Sequence, residues 1–382
     1  MQLNVFSFFS GAGFLDLGFE NSGFNIVFVN EYDKAFLDAY KYSRAKMQIY
    51  APKYGYYCGD INKLQYGNAK ENFSKIVSDE KRNGLVGFIG GPPCPDFSVA
   101  GKNCGIKGEK GKLTNCYKRI IITQQPDFFI FENVKGLWST QKHRVEYEKI
   151  KNTLKNNGYV LVDKLVNAIE YGVPQDRERI ILFGVKYSLL SDNIKEAQNI
   201  ISRNFNWGTV YQIEDIRKCN WPTTDDFVEN GCFPLPNNII EQLTVQYWFE
   251  KNGVDQHYNS TDFFKPRAME RFQTIKEGDV SRKSFKRLHR WRYSPTAAYG
   301  NNEVHLHPYK KRRISVAEAL AIQSLPKEYE IPKTITKSQM FKTIGNGVPY
   351  LLSYNIAQSV KSFIEKNVVD TRITEVRNVS YS

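Results

Sequence analysis

The chain has 382 residues, 41% hydrophobic and 24% charged, which is enough to bury a sizeable core in two domains or in one large domain with an insertion. Its net charge of +13 favours a polyanionic partner, and no apolar run approaches the roughly 18 residues of a membrane span. The six cysteines, at 58, 94, 104, 116, 219 and 232, form no CxxC pair and no regular spacing, which argues against a metal site and against a disulfide framework. A reducing compartment follows, and with no basic leader at Met1 the expectation is a cytoplasmic protein.

Up to about residue 187, short apolar runs alternate with helical stretches, as in a βα series that builds a mainly parallel sheet. Strands are predicted over 3–9, 26–30, 86–90, 128–132, 160–166 and 179–185. A helix over 145–157 is closed by Gly158, where a left-handed residue is needed. Between about 188 and 288 this rhythm fails, with Trp207, Trp221, Trp248 and several prolines in no clear period; the stretch reads as an irregular inserted domain. Regular signals return near residue 289. Ser315 and Glu318 form a capping box, and Pro349 opens a last amphipathic helix carrying Leu352, Ile356, Val360 and Phe363 on one stripe.

The ends of these strands carry the chemistry. The first runs into Phe9-Ser10-Gly11-Ala12-Gly13, glycines where a backbone must turn tightly beside a ligand. Just past the second strand, Glu31 can accept from both hydroxyls of a ribose. The turn is not GxGxxG, and that loss of a pyrophosphate cradle favours a nucleoside cofactor over a dinucleotide. Cys58-Gly59-Asp60-Ile61 follows a further βα junction. There Asp60 could bind an exocyclic amine and Ile61 pack on the base, although an aspartate after glycine is more often a helix cap.

Cys94 follows an apolar strand in Gly90-Gly91-Pro92-Pro93-Cys94, and Glu132 ends another in Phe131-Glu132-Asn133. A lone cysteine is usually a buried, inert hydrophobe, but a thiol and a carboxyl both delivered to strand ends suit attack on an electron-poor ring. An ordinary thiol is only a few per cent ionised at neutral pH, so a nearby cation should help, and Arg177 and Arg179 are candidates. Two basic stretches stand out. One is the glycine- and lysine-rich loop from Ser98 through Lys102 to Lys112, which could close over a substrate. The other runs from Arg282 through Arg287, Arg290 and Arg292 to Arg313 with interleaved aromatics, as on a phosphate-tracking edge.

Taken in order, FSFFSGAGF, Asn30-Glu31, GDI, GGPPCPDFS, FENV, QDRERI, RRISVAEALAIQSLP and IGNGVP resemble eight motifs of the DNA cytosine-5 methyltransferases, over nearly the whole chain. The resemblance implies an α/β fold: a Rossmann-like S-adenosylmethionine-dependent core formed by 1–187 and completed by 289–382, with 188–288 as a smaller target-recognition domain. It implies Cys94 as the nucleophile and Glu132 as the acid. Phe9, Glu31, Asp60 and Asn346 would line the cofactor pocket. Gly11, Ala12, Gly13, Tyr32, Ile61, Pro93, Leu113 and Val348 would support it, and Ser98, Lys102, Arg287, Arg290 and Arg292 would contact DNA. It further implies a monomer acting on flipped cytosines in double-stranded DNA, nucleoid-associated in a bacterial cytoplasm and paired with a restriction endonuclease. Pro95, Ser7, Ser324 and Leu325 depart from the family's usual Gln, Asp, Gly and Phe. Rival readings are an RNA methyltransferase of the tRNA type, whose signature is missing around Cys232, and a silent DNA-binding regulator, which the intact Cys94 and Glu132 disfavour. A nicotinamide dehydrogenase ranks below both.

Overall fold

The computed structural model describes residues 1–93, 109–265, 269–282, 284–297, 299 and 304–368. Its seven strands are β1 (Leu3–Phe8), β2 (Asn25–Glu31), β3 (Tyr56–Cys58), β4 (Leu85–Gly90), β5 (Phe128–Val134), β6 (Tyr159–Asn167) and β7 (Glu178–Lys186). They form one sheet in the order β3-β2-β1-β4-β5-β7-β6. Pairing is parallel from β3 to β5, while β7 runs antiparallel to both β5 and β6. The predicted strands agree with these to within a residue or two. β3 is not among them, because three residues, two half-buried and the last exposed, carry too little apolar pattern to register.

β1 and β4 are buried along their whole length, as near-continuous apolar strands must be when helices cover both faces. On one face the helices Phe14–Asn21 and Tyr350–Asn367 cross so closely that a Cβ on Gly18 would overlap Ser353. The expected stripe Leu352, Ile356, Val360 and Phe363 is buried there with Phe19, Val29 and Ile89. On the other face Phe73, Tyr117, Ile121 and Tyr147 pack against Phe6, Phe88 and Phe131. The helix predicted over 145–157 spans Gln141–Asn156, and Gly158 follows it at φ +91°.

The irregular insert differs from expectation at its start. The helix Ile194–Asn204 sets Ala197 and Ile201 into the core, and Phe205 stacks on Phe183 at 4.9 Å. The core therefore continues well past residue 188. Beyond it lie short helices at Ile213–Lys218, Val245–Lys251 and Met269–Thr274. None of the helices described is long and apolar enough to cross a membrane.

In the return segment the capping box forms as read: Ser315 Oγ accepts from Glu318 N, and Glu318 Oε2 accepts from Ser315 N at 2.7 Å. Arg312 grips the same carboxylate through both nitrogens, at 2.8 and 2.7 Å, and His307 Nε2 lies 3.3 Å away. Burial pushes the Glu318 carboxyl up, but His307 and Arg312 outweigh it and hold the group below the usual carboxylate range. A depressed acid contributes stability that is present above its unfolded pKa and is lost as pH falls toward its folded one. Unfolding in denaturant between pH 7 and pH 3 should therefore show stability falling below about pH 4.5. Glu318→Gln should be less stable at pH 7 and show a shallower fall.

Candidate active site

Strand order reverses between β2-β1 and β4-β5, so the loops after β1 and β4 part to opposite sides and leave a crevice at the carboxyl ends of these strands. The turn after β1 has three residues in the left-handed region: Phe9 at φ 54°, Gly11 at 58° and Gly13 at 79°. Phe9, for which that conformation costs energy, packs edge-on against Tyr117 at 6.1 Å. Glu31 ends β2, and its carboxylate binds the turn: Oε2 accepts from Gly11 N, and Oε1 from Tyr32 N and Asp33 N, each at 2.8 Å. Burial raises its pKa, and these backbone N–H groups oppose the rise.

Asn30 donates to the carbonyls of Tyr57 and Gly59, which ties the end of β2 to the next junction. There Asp60 caps the turn Ile61–Gln65 by accepting from Asn62 N at 2.8 Å, the local role weighed from sequence, while Ile61 is buried. Tyr32 is 77% exposed beside this cluster. Leu113 is half-buried on the helix Glu109–Gln124, Ala12 is buried and Pro93 is exposed. Asn346 ends the helix Lys337–Asn346 and is exposed, and Val348 is buried just beyond it. A Cβ on Gly347 would overlap Phe14, so the last motif does pack back against the first. These residues fit an adenosyl ligand. A Cβ on Gly11 would meet nothing within 4 Å, and Glu31 Oε2 has a single N–H donor, leaving capacity for a hydroxyl.

The second half of the crevice is the end of β4 against β5. Gly90 pairs with Phe131, so the next residues, Gly91 and Glu132, are neighbours; a Cβ on Gly91 would lie 2.5 Å from Glu132 Oε2. Asn133 Nδ2 donates to Pro92 O at 3.4 Å. Cys94, Ser98 and Lys102 lie outside the described residues, which reach Pro93 on this side. Antiparallel pairing brings Arg179 of β7 alongside the end of β5, and its Nε lies 2.9 Å from Glu132 Oε1. Burial raises the Glu132 pKa, with Arg179 and then Arg177 pulling it back.

Arg177 does different work. It is fully buried, donating to the carbonyls of Gly345 (2.7 Å), Gly347 (3.1 Å) and Ala297 (3.2 Å) and to Gln175 Oε1 (3.4 Å). Gln175 donates to Ile322 O and Gln323 Oε1, and Gln323 donates to Ile344 O at 2.6 Å. This buried knot joins the end of β6–β7 to the last motif. Sequence alone does not single out Gln175 and Gln323, because an uncharged amide gives no signal there; only their place inside the motifs QDRERI and AIQSLP marks them. Arg177→Met should leave three carbonyls unpaired and cost about 3–5 kcal/mol in urea unfolding.

The arginine edge also differs from expectation. Arg287 is buried and donates from Nε to Ile275 O at 2.8 Å and from Nη1 to His307 O at 2.5 Å. Arg290 is buried in a two-pronged pair with Glu277, at 2.9 and 2.8 Å, and holds Gly231 O. Both are turned inward, where they satisfy carbonyls of a segment that has no strand among its described residues. Arg292 is half-buried with Nη1 3.3 Å from Pro222 O, while Arg282 is exposed.

The sheet order with its single reversed strand, the glycine turn after β1 and the acid ending β2 define a Rossmann-like α/β core of the methyltransferase fold. The C-5 cytosine-specific DNA methylase family model matches residues 3–362, and the chain belongs to that family; it is a DNA (cytosine-5) methyltransferase. It is 57% identical over 370 residues to the Type II methyltransferase M.NmeDI of Neisseria meningitidis serogroup C, covering 96% of this chain and 86% of that one. It is 31% identical to M.FnuDI of Fusobacterium nucleatum, with 94% of each chain covered. Among solved structures, the methyltransferase EhMeth of Entamoeba histolytica superposes with a TM-score of 0.58 at 15% identity, covering 96% of this chain and 98% of that one. Dnmt2 of S. pombe gives 0.58 at 13% identity, covering 96% and 99%.

Proposed function

We propose that the enzyme methylates cytosine at carbon 5 within one specific sequence of double-stranded DNA, with S-adenosylmethionine as methyl donor and Cys94 as nucleophile. The observation that carries this reading is the buried Glu132 carboxyl. It is ion-paired to Arg179 and set against Gly91 on the strand end that leads into Cys94.

Cytosine carbon 5 is too weak a nucleophile to be methylated unaided, and its ring is shielded within the duplex. Flipping the base out costs roughly a few kcal/mol, offset by contacts to the base and to the gap left behind. Cys94 adds as thiolate to carbon 6, and Glu132 delivers a proton to ring nitrogen 3, so the electron pair collects at carbon 5 as an enamine. Arg179 holds the Glu132 carboxyl in place and balances its charge once the proton has left. S-adenosylmethionine, when bound, supplies an electrophilic methyl group on a sulfonium, and Phe9, Glu31, Asp60 and Asn346 would hold it. Once carbon 5 carries the methyl, its proton passes to water or hydroxide. The electron pair of that C–H bond then restores the ring double bond and expels Cys94 as thiolate, while the proton on ring nitrogen 3 returns to Glu132.

Base readout belongs to the irregular segment after Phe205, and phosphate contacts to Arg282, Arg292 and the loop containing Ser98 and Lys102. Arg287 and Arg290 serve this surface indirectly, by holding its backbone. The likeness to Type II methyltransferases supports a restriction-modification role, in which methylation by a cytoplasmic, nucleoid-associated monomer protects host DNA from a cognate endonuclease. Bisulfite sequencing of a host expressing the protein tests this reading. One recurrent methylated sequence is expected, and DNA left unmethylated by active enzyme would refute it.

A further inference from the structure

Two buried side chains from distant parts of the chain grip the backbone of the glycine turn after β1. Tyr329 donates its hydroxyl to Ala12 O at 2.6 Å, and Arg44 donates from Nη2 to Gly13 O at 2.6 Å. Arg44 stands on the helix Lys34–Lys46 that follows β2, and Tyr329 lies in the return segment. The space beneath the turn is filled. A Cβ on Gly13 would overlap the Tyr40 ring and lie 2.9 Å from Arg44 Nη2, and the Tyr329 ring packs edge-on against Phe14 at 5.2 Å.

The charge arrangement is an expensive way to fill a core. Arg44 Nε lies 2.7 Å from Glu20 Oε2, and its guanidinium stacks over Tyr40 at 4.4 Å. Asp16 is fully buried nearby and accepts from Ser7 Oγ at 2.8 Å. Burial and then Glu20 push the Asp16 carboxyl up to about 7, against the pull of Arg44, Ser7 and Tyr40. An apolar side chain would pack this volume at lower cost than a guanidinium with two carboxyls. What an apolar side chain cannot do is hold a carbonyl.

A trans peptide is planar, with its C=O and the following N–H pointing opposite ways. Tyr329 therefore fixes the Ala12–Gly13 plane, whose N–H closes the turn onto Ser10 O at 2.8 Å. Arg44 fixes the Gly13–Phe14 plane and turns the Phe14 N–H away from itself. Glu31 on Gly11 N sets the Ser10–Gly11 plane in the same way, so three of the four peptide planes from Ser10 to Phe14 are set by a side chain that another element supplies.

We infer that Arg44 and Tyr329 are positioning residues for the methyl-donor site, holding the turn in its binding conformation before the donor arrives. This rests on the reading that the crevice binds S-adenosylmethionine. Calorimetric titration of the full chain with S-adenosylmethionine and S-adenosylhomocysteine tests it, alongside steady-state kinetics on DNA. Tyr329→Phe removes one hydroxyl and keeps the ring, and it should weaken both ligands about tenfold. The KM for the donor should rise in proportion, with kcat and the Kd for DNA unchanged. Arg44→Lys, which keeps the charge and loses the fork, should act in the same direction. A folded Tyr329→Phe that binds both ligands as wild type does, or that loses DNA affinity and kcat equally, overturns the inference alone. Failure of the wild-type chain to bind either ligand overturns the donor-site reading and the inference with it.

Discussion

Cys94→Ala should abolish methyl transfer to duplex DNA, with kcat falling by about 10⁴-fold or more, because carbon 5 then lacks the thiolate addition that makes it nucleophilic. Binding should survive. The alanine variant loses a single sulfur atom, so its affinity for DNA in a gel-shift assay should stay close to wild type. The same assignment predicts that a duplex carrying 5-fluorocytosine at the target traps the wild-type enzyme as a covalent complex through Cys94. Fluorine at carbon 5 cannot leave as a proton, so elimination is blocked after methyl transfer. Peptide mapping would locate the adduct, and turnover by the alanine variant at the wild-type rate would remove Cys94 from the mechanism.

Glu132→Gln should lower kcat by about 10²–10⁴-fold, the usual contribution of a positioned acid. Glutamine keeps the shape and loses the transferable proton, so the Kd for DNA should change little. The pH profile separates an acid from a spacer. Burial raises the Glu132 pKa, so the protonated form that donates to ring nitrogen 3 persists further toward neutrality than an ordinary carboxyl would. In the wild type, kcat should decline as pH rises through that value and Glu132 loses its proton. The Glu132→Gln variant, measured in single turnover, should lack this alkaline decline. A variant that kept both the rate and the decline would assign the proton to another group.

Much of this arrangement is legible in the chain before any coordinates. Burial on both faces makes β1, β4 and β5 apolar runs, and the residues that end them, Gly11, Gly91 and Glu132, sit where an apolar pattern stops abruptly. The capping box at Ser315 and the stripe from Leu352 to Phe363 follow from helical spacing alone. Charge was less informative. Arg177, Arg287 and Arg290 read as substrate-facing because arginine is usually exposed, yet each is buried against carbonyls or a carboxylate that only the tertiary fold supplies. The division of labour between Arg177 and Arg179 is likewise invisible in QDRERI. It arises because β7 pairs antiparallel with β5, which sets Arg179 opposite Val134 while Arg177 lies before the strand begins. Ser324 shows the reverse case. The family's usual glycine fits its φ of 57°, and here the serine hydroxyl donates to Gln323 O and accepts from Leu351 N, bonds that support the left-handed residue.

The most direct test of the account is nucleoside analysis after incubation of the purified enzyme with methyl-labelled S-adenosylmethionine and, in parallel, duplex DNA and tRNA. Label is expected in 5-methylcytosine from the DNA and none in the tRNA. Label confined to the tRNA, or recovered on an exocyclic nitrogen of the DNA bases, would contradict it.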